Sequence, residues 1–141
     1  MIRHRKIVAD RRVLIDRARE TIERTPNVVF AYLFGGLAQH DIRPLSDVDI
    51  AVYVGKGFDL AQAKLDLLGD LVDALETEEI DLVILNTAPL SLSARVLRSN
   101  QILLDRDPFF RHSYESLILR EYFDFSVKED AILKRRFSPG R

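Results

Sequence analysis

The sequence contains no cysteine, so the chain forms no disulfide bond and offers no thiolate ligand to a metal ion. Its three histidines, His4, His40 and His112, are scattered, and their spacing does not favour a histidine metal site. No apolar run approaches the roughly 18 residues of a membrane-spanning helix. The start of the chain also lacks the apolar segment of a secretory signal. We therefore expect a cytoplasmic protein that makes no contact with a membrane.

A strong net charge of either sign is missing too. The 21 Lys and Arg residues nearly balance the 22 Asp and Glu residues, which argues against a direct nucleic-acid partner. With 47% hydrophobic and 30% charged residues, the composition is typical of a soluble globular protein. Because 141 residues suffice for one hydrophobic core, we expect residues 1–141 to form a single domain.

Apolar spacing along the chain predicts helices that alternate with strands. Apolar residues three or four positions apart indicate helices, and short apolar or alternating runs indicate strands. Asp59 and Asp107 are suitable N-caps for two of the helices, and Pro108 fits the first turn of the last one. The predicted helices cover residues 2–24, 60–76, 90–98 and 107–136, the last with a break near Ser126. The predicted strands cover residues 28–34, 47–54, 79–85 and 101–104.

Two glycines and two aspartates lie in the connection between the first two predicted strands. Gly35 and Gly36 form a turn at the end of the first strand, and Asp47 and Asp49 open the second. Alternate side chains of a strand share a face, so the two carboxylates share one face with backbone anchors roughly 6.6 Å apart. Two unit charges near 7 Å repel by roughly 2.4 kcal/mol at an effective dielectric of 20, and by about 0.6 kcal/mol in water. The pair is therefore unfavourable in a cleft unless a cation lies between the carboxylates.

A third carboxylate, Asp81, lies near the start of the third predicted strand. If that strand lies beside the second, Asp81 can project on the same face as Asp47 and Asp49. Magnesium prefers oxygen ligands and is commonly held by one or two carboxylates together with substrate phosphates. Glycines leave backbone N–H groups open to a polyphosphate, because no side chain shields them. The pattern favours metal-assisted phosphoryl transfer; the alternatives are a capped strand entry, a plain glycine turn and a strand-edge charge.

Two segments resemble a known signature: Leu33 to Gly36 (LFGG) and, after ten further residues, Asp47 to Ile50 (DVDI). This signature is that of the DNA polymerase β-type nucleotidyltransferase superfamily. The small size resembles the minimal nucleotidyltransferases (MNT), which are the antitoxin partners of HEPN toxins. Asp81 matches their third carboxylate, and the run RVLRSNQILLDRD with the later LREYFDF is also similar. The resemblance implies an α+β, polymerase β-like nucleotidyltransferase fold, with a small mixed sheet packed with helices and a long C-terminal helix.

The resemblance also implies roles for individual residues. The residues that would bind Mg²⁺ and carry catalysis are Asp47, Asp49 and Asp81, and the last would complete the metal site or assist removal of the acceptor proton. The residues that would contact the nucleotide triphosphate are Gly35, Gly36 and Ser46. The chain would then be a protein adenylyltransferase that transfers AMP from ATP to a tyrosine of a HEPN ribonuclease toxin. It would act as a homo-oligomer or as a hetero-oligomer with that toxin.

Two departures from the family pattern leave other functions open. Many members have Ser where this chain has Gly36, and a basic residue and Gly where it has Gln39 and His40. One alternative is an antitoxin that neutralises by binding alone, and another is a nucleotidyltransferase for a small molecule such as an aminoglycoside. The intact carboxylates favour activity. Arg106 and His112 have the Arg-to-His spacing of HEPN ribonucleases, but too little chain surrounds them for such a helical bundle, so we interpret the spacing as coincidence.

Overall fold

The computed structural model of the chain describes residues 11–35 and 48–137, which form four helices and four strands. In chain order the elements are α1 (Arg11–Glu23), β1 (Val28–Phe34), β2 (Val48–Val54), α2 (Leu60–Leu75), β3 (Ile80–Ile84), α3 (Leu90–Arg98), β4 (Asn100–Asp105) and α4 (Pro108–Phe137). Among these residues, no helix is both long enough and apolar enough to cross a membrane.

The strands form one mixed sheet in the order β3-β2-β1-β4. β1 is antiparallel to both of its neighbours, while β2 is parallel to β3. A parallel pair needs a long crossover connection, and α2 provides it. The interior position of β1 follows from its uninterrupted apolar sequence, VVFAYLF, which has nearly every residue buried. The predicted small mixed sheet is confirmed.

Different helices cover the two faces of the sheet. One face, called here the aliphatic face, packs against α1 and α2 through buried residues such as Leu33, Ile50 and Leu71. The other, called the aromatic face, packs against α3 and α4 through residues such as Tyr32 and Tyr114. Because side chains alternate along each strand, the same strands supply both cores.

Hydrogen bonds and ion pairs hold α4 against the aromatic face. The Tyr32 hydroxyl donates to Oε2 of Glu115 at 2.6 Å. Arg111 donates to Asp105 at 2.7 Å and to the same Glu115 oxygen at 2.9 Å. These bonds connect α4 to both β1 and β4, so they fix the rotation of the helix and its position along the sheet.

Most of the predicted elements are confirmed, with ends that agree to within a residue or two. Asp59 accepts a hydrogen bond from the Gln62 N–H, and Asp107 accepts one from the Phe110 N–H, so both predicted N-caps are confirmed. Residues 2–10 of the first predicted helix lie outside the described residues.

The predicted break near Ser126 is wrong, because α4 continues unbroken to Phe137. A serine inside a helix is less favourable than alanine by only about 0.5 kcal/mol. Lysine, glutamate, alanine and leucine follow it within a few residues, and these are strong helix formers. One serine in such a sequence does not outweigh its neighbours.

Candidate functional site

All four strands have one end on the same side of the sheet, called here the site end, where β4 begins at Asn100 beside Phe34. β1 finishes there at Phe34 and is followed by Gly35, while β2 and β3 both begin there. In the strand register, Phe34 pairs with Asp49, and Asp49 pairs with Asp81. The turn glycine and two carboxylates that are far apart in sequence therefore lie side by side.

Asp49 and Asp81 project to the same side of the sheet, because directly paired residues on neighbouring strands share a face. Ala51 and Val83, two positions further along the same strands, belong to the aromatic face. The carboxylates therefore lie at the site end of that face, with Cβ atoms about 5 Å apart. At that separation two unit charges repel by roughly 3 kcal/mol at an effective dielectric of 20. The arrangement suits a cation.

Gly35 lies directly against Asp49. Its φ is +74°, in the left-handed region that residues with a side chain rarely adopt. A Cβ placed on Gly35 would overlap Oδ2 of Asp49 and lie 3.0 Å from its Cγ. Both the backbone conformation and the neighbouring carboxylate therefore require glycine at this position. The sequence predicted the turn but not this contact.

Asp81 also lies in the lining of an open cleft of about 470 Å³. The cleft follows β3 and is bounded by the first turns of α2 and α3, with Lys64 and Thr87 in its lining. Its volume falls in the usual range for small-ligand sites, about 300–1,000 Å³. Asp81 is solvent-exposed, so its carboxylate is accessible to a molecule bound in this cleft.

Two arginines lie on the last helical turn before the site end, although the sequence analysis did not assign them to it. The chain enters α3 after β3 and leaves it into β4, whose first residue, Asn100, pairs with Phe34. The last turn of α3, which carries Arg95 and Arg98, therefore lies at the site end. The sequence signal for this was two arginines at the end of a helix directly before a strand. It becomes informative only once the pairing of that strand with β1 is known.

Three of the predicted site residues, Gly36, Ser46 and Asp47, lie outside the described residues. Within the described part of the chain, no three His, Cys, Asp or Glu side chains form a group that could hold a metal ion. The structure brings Asp49, Asp81 and Gly35 together, and the metal-binding and catalytic roles of these residues stay predictions.

Arg106 has a structural contact that accounts for its position. Its guanidinium donates to the backbone carbonyls of Glu23, Thr25 and Val28, at and just after the C-terminal end of α1. His112 instead lies beside Arg111, with 3.0 Å between the two side-chain nitrogens. Arg106 therefore stabilises the connection between α1 and β1.

Comparisons with known proteins agree with this geometry. The family model described as polymerase beta nucleotidyltransferase matches residues 16–109, which is more than half of the chain. No curated protein sequence matches this chain. Several solved structures have the same fold, and three are described next.

A complex of tri-AMPylated HEPN toxin with MNT antitoxin from Shewanella oneidensis matches with a TM-score of 0.68 and 21% identity, covering 91% of this chain and 99% of that one. A toxin–antitoxin complex with AMP-PNP has a TM-score of 0.68 and 24% identity, covering 85% and 98%. The MntA–HepT toxin–antitoxin complex has a TM-score of 0.62 and 23% identity, covering 86% and 97%.

These similarities show a polymerase β-like nucleotidyltransferase fold with a long C-terminal helix. The region matched by the family model contains Gly35, Asp49 and Asp81, the residues that meet at the site end. Sequence and fold thus lead to the same assignment: the chain belongs to the polymerase beta nucleotidyltransferase family.

Proposed function

We propose that this chain is a Mg²⁺-dependent nucleotidyltransferase that acts as an antitoxin by transferring AMP from ATP to a tyrosine of a HEPN ribonuclease toxin. The observation that carries the proposal is the alignment of Gly35, Asp49 and Asp81 at one end of the sheet. The solved structures support it, since one contains a tri-AMPylated HEPN toxin with its MNT antitoxin and another contains AMP-PNP.

The oxygen donors at the site end fit Mg²⁺. Asp49 and Asp81 provide neighbouring carboxylates on one face, and such ligands together with substrate phosphates are the set that this ion prefers. Asp47 would add a third carboxylate, because it precedes Asp49 by two positions in the sequence. When bound, the metal would neutralise the negative charge of the triphosphate and of the pyrophosphate formed from it.

The residues of the chain would position the reactants and accept the proton. Asp81, exposed in the cleft beside β3, is placed to take the proton of the acceptor hydroxyl. The hydroxyl oxygen forms a bond to the α-phosphorus of ATP, and the bond from that phosphorus to the oxygen bridging to the β-phosphorus breaks. Pyrophosphate leaves, and the proton passes from Asp81 to water. Arg95 and Arg98 would attract the triphosphate to the site end.

Label transfer tests this proposal. The chain is incubated with ATP labelled at the α-phosphate, Mg²⁺ and a HEPN toxin, and labelled tyrosine is sought by mass spectrometry. We expect transfer that stops on addition of EDTA and returns with excess Mg²⁺. Asp49→Asn and Asp81→Asn should each reduce it at least about 100-fold. The matched control Asp70→Asn, an exposed residue of α2, should leave it unchanged.

A growth assay separates the proposal from neutralisation by binding alone. The sequence departures at Gly36 and Gln39 favour this second function. Cells that produce the toxin are supplied with the wild type or with the Asp49→Ala, Asp81→Ala double variant. If catalysis neutralises the toxin, the double variant should fail to rescue growth. Full rescue by a variant that transfers no label would contradict catalysis and establish the binding antitoxin. Label on an aminoglycoside instead of the toxin would favour the small-molecule enzyme.

A further inference from the structure

The long helix α4 has two halves with different surroundings. In its first half Tyr114 is 9% exposed and packs in the core of the aromatic face, where Ile118 also makes contact. In its second half nearly every described side chain is exposed. Those exposed residues include large apolar ones: Phe123 at 66%, Phe125 at 51% and Ile132 at 55%. We call residues 119–137 the arm.

The contacts of the first half fix the direction in which the arm leaves the domain. Arg111 bonds to Asp105, which pairs with Phe30, and Glu115 bonds to Tyr32, two positions further along β1. Four helical residues rise about 6 Å and two strand residues about 6.6 Å, so α4 runs roughly parallel to β1. The helix therefore reaches the level of Phe34, at the site end, near residue 119.

The eighteen residues that follow, 120–137, extend roughly 27 Å further at 1.5 Å per residue. The arm thus projects beyond the end of the sheet at which Asp49 and Asp81 lie. A molecule held by the arm is held next to the two carboxylates.

Exposed apolar residues lie on two sides of the arm, with Glu129 among them on the first side and the ion pair of Asp130 and Lys134 beyond them on the second. Ile118, Tyr122, Phe125 and Ile132 follow one another at intervals of four, three and seven residues, which continues the side that packs on the sheet. A second stripe, Leu119, Phe123 and Val127, recurs every four residues. At 100° per residue the second stripe lies roughly 140° around the helix from the first. Large apolar side chains that stay exposed together along a helix mark a contact surface for another molecule.

The third side of the arm carries the residues Arg120, Asp124, Lys128 and Arg135. Over the whole arm, basic and acidic residues are nearly equal in number, five against four. A nucleic acid or an anionic lipid surface would select a basic face, which this mixture does not provide. Apolar residues on two sides, with a group of charges on the third, instead fit a groove between two helices of a protein, with the third side facing water.

Resting on the proposed function, we propose that the arm docks in a groove between helices of the acceptor protein, and so holds that protein with its tyrosine at the site end. Seven-residue spacing along the first stripe is the geometry by which one helix packs against another, which suits a groove between helices of the acceptor. The docking surface and the carboxylates would then work on the same bound molecule, the arm giving affinity and the site end giving chemistry.

Binding and transfer measured separately test the arm. Isothermal titration with the unmodified HEPN protein is carried out on the wild type and on two double variants, Phe125→Ala with Ile132→Ala and Phe123→Ala with Val127→Ala. Alanine preserves the helix. We expect each double variant to weaken binding at least tenfold. The control, Asp124→Ala with Lys128→Ala on the third side, should change the Kd by less than twofold. Thermal unfolding without the partner checks that the nucleotide site is intact. ATP and Mg²⁺ should raise the Tm of each variant by as much as they raise that of the wild type.

The outcomes distinguish the arm from the proposed function. Arm variants that bind like the wild type overturn the docking proposal, whatever the transfer assay shows. If the wild type binds through the arm but transfers no label, the proposed function is overturned and the docking surface is still supported. The chain alone should have its monomer mass of 16.2 kDa. Twice that mass, lost in the arm variants, would show that a second copy occupies the arm and would also overturn the proposal.

Discussion

The two faces of the sheet differ in their chemistry. The aliphatic face is closed by α1 and α2 with fully buried residues such as Ile22 and Leu71, and its core cluster consists of Leu, Ile, Val and Ala. The aromatic face is covered by α3 and α4 with tyrosines and a network of hydrogen-bonded charges, and it ends at Asp49 and Asp81. One face consists of apolar side chains that pack against one another, whereas the other ends in two neighbouring carboxylates.

This difference separates the residues that stabilise the fold from those that form the candidate site. Hydrophobic burial on the aliphatic face depends on area and close packing, so it is felt by the whole domain. The carboxylates at the site end are partly or fully exposed, so they contribute little to stability. Substitutions on one face should therefore change stability, and those at the site end should change activity.

The largest effect is expected from Asp81→Asn, which keeps the shape of the side chain but removes its ability to accept a proton. Transfer should fall about 10³-fold, equivalent to roughly 4 kcal/mol in the activation barrier. Because Asp81 is exposed, the free energy of unfolding should change by less than about 0.5 kcal/mol. Single-turnover kinetics and urea unfolding measure the two quantities. A large loss of stability would show that Asp81 has a structural role and would break the contrast between the faces.

The opposite behaviour is expected from Leu71→Ala on the aliphatic face. Leu71 is fully buried, and truncation of such a leucine lowers the free energy of unfolding by about 3 kcal/mol. The matched control is Leu65→Ala on the same helix, where the side chain is 65% exposed and a change within about 0.5 kcal/mol is expected. Transfer by the folded fraction should equal that of the wild type. A lower rate of transfer under conditions where Leu71→Ala is fully folded would show that the two faces are coupled.

The sequence predicted the individual strands and helices well. Runs such as VVFAYLF and the helical spacing of residues 60–76 depend only on local periodicity, and both elements are confirmed. The strand order is not a local property, because it depends on which edges pair after the chain has turned. The unbroken α4 was missed for a related reason, since a single Ser126 was given more weight than the strong helix formers that follow it.

An intermediate effect is expected from Gly35→Ala. Alanine in the left-handed region is less stable than glycine by about 1–2 kcal/mol, and its Cβ would displace the Asp49 carboxylate. We expect the free energy of unfolding to fall by about 2 kcal/mol, together with a loss of transfer that persists at temperatures where the variant is folded. Gly57→Ala is the matched control, because Gly57 also has a positive φ but no atom lies within 4 Å of an added Cβ. Equal activity loss in the two variants would contradict a specific role for the Gly35–Asp49 contact.

The site was only partly predictable from sequence. The glycine turn and the alternation of Asp-Val-Asp gave the residue types and one shared face, because both are local. The neighbour relation between Asp49 and Asp81 depended on a parallel pairing that the sequence left conditional, and the register confirms it. Arg95 and Arg98 were missed, because their place at the site end follows from the path of α3 across the sheet rather than from any motif.

The smallest effect is expected on the aromatic face away from the site end, from Tyr32→Phe. The change removes the hydrogen bond to Glu115, so the free energy of unfolding should fall by about 1 kcal/mol at pH 8. The control Tyr122→Phe, on α4, removes a tyrosine hydroxyl that makes no bond to Glu115. Urea unfolding of the three proteins measures the difference. A fall of 3 kcal/mol or more would show that the network, rather than the aliphatic core, dominates the stability of the domain.

The pH dependence of the same variant sharpens this result. Burial, and then the hydrogen bond and charge of Glu115, raise the pKa of Tyr32 in the folded protein, while the unfolded chain keeps a tyrosine pKa near 10. The folded state therefore holds this proton more tightly, so its contribution is complete below about pH 10 and is lost as the pH rises further. Above that pH the wild type should lose roughly 1.4 kcal/mol per pH unit more than Tyr32→Phe, because the variant has no proton to release at this position. The stability gap between the two proteins should close by about pH 11. A gap that stays constant from pH 8 to pH 11 would mean that the pKa of Tyr32 is the same in the folded and unfolded states. The bond to Glu115 would then not stabilise the protonated form of Tyr32.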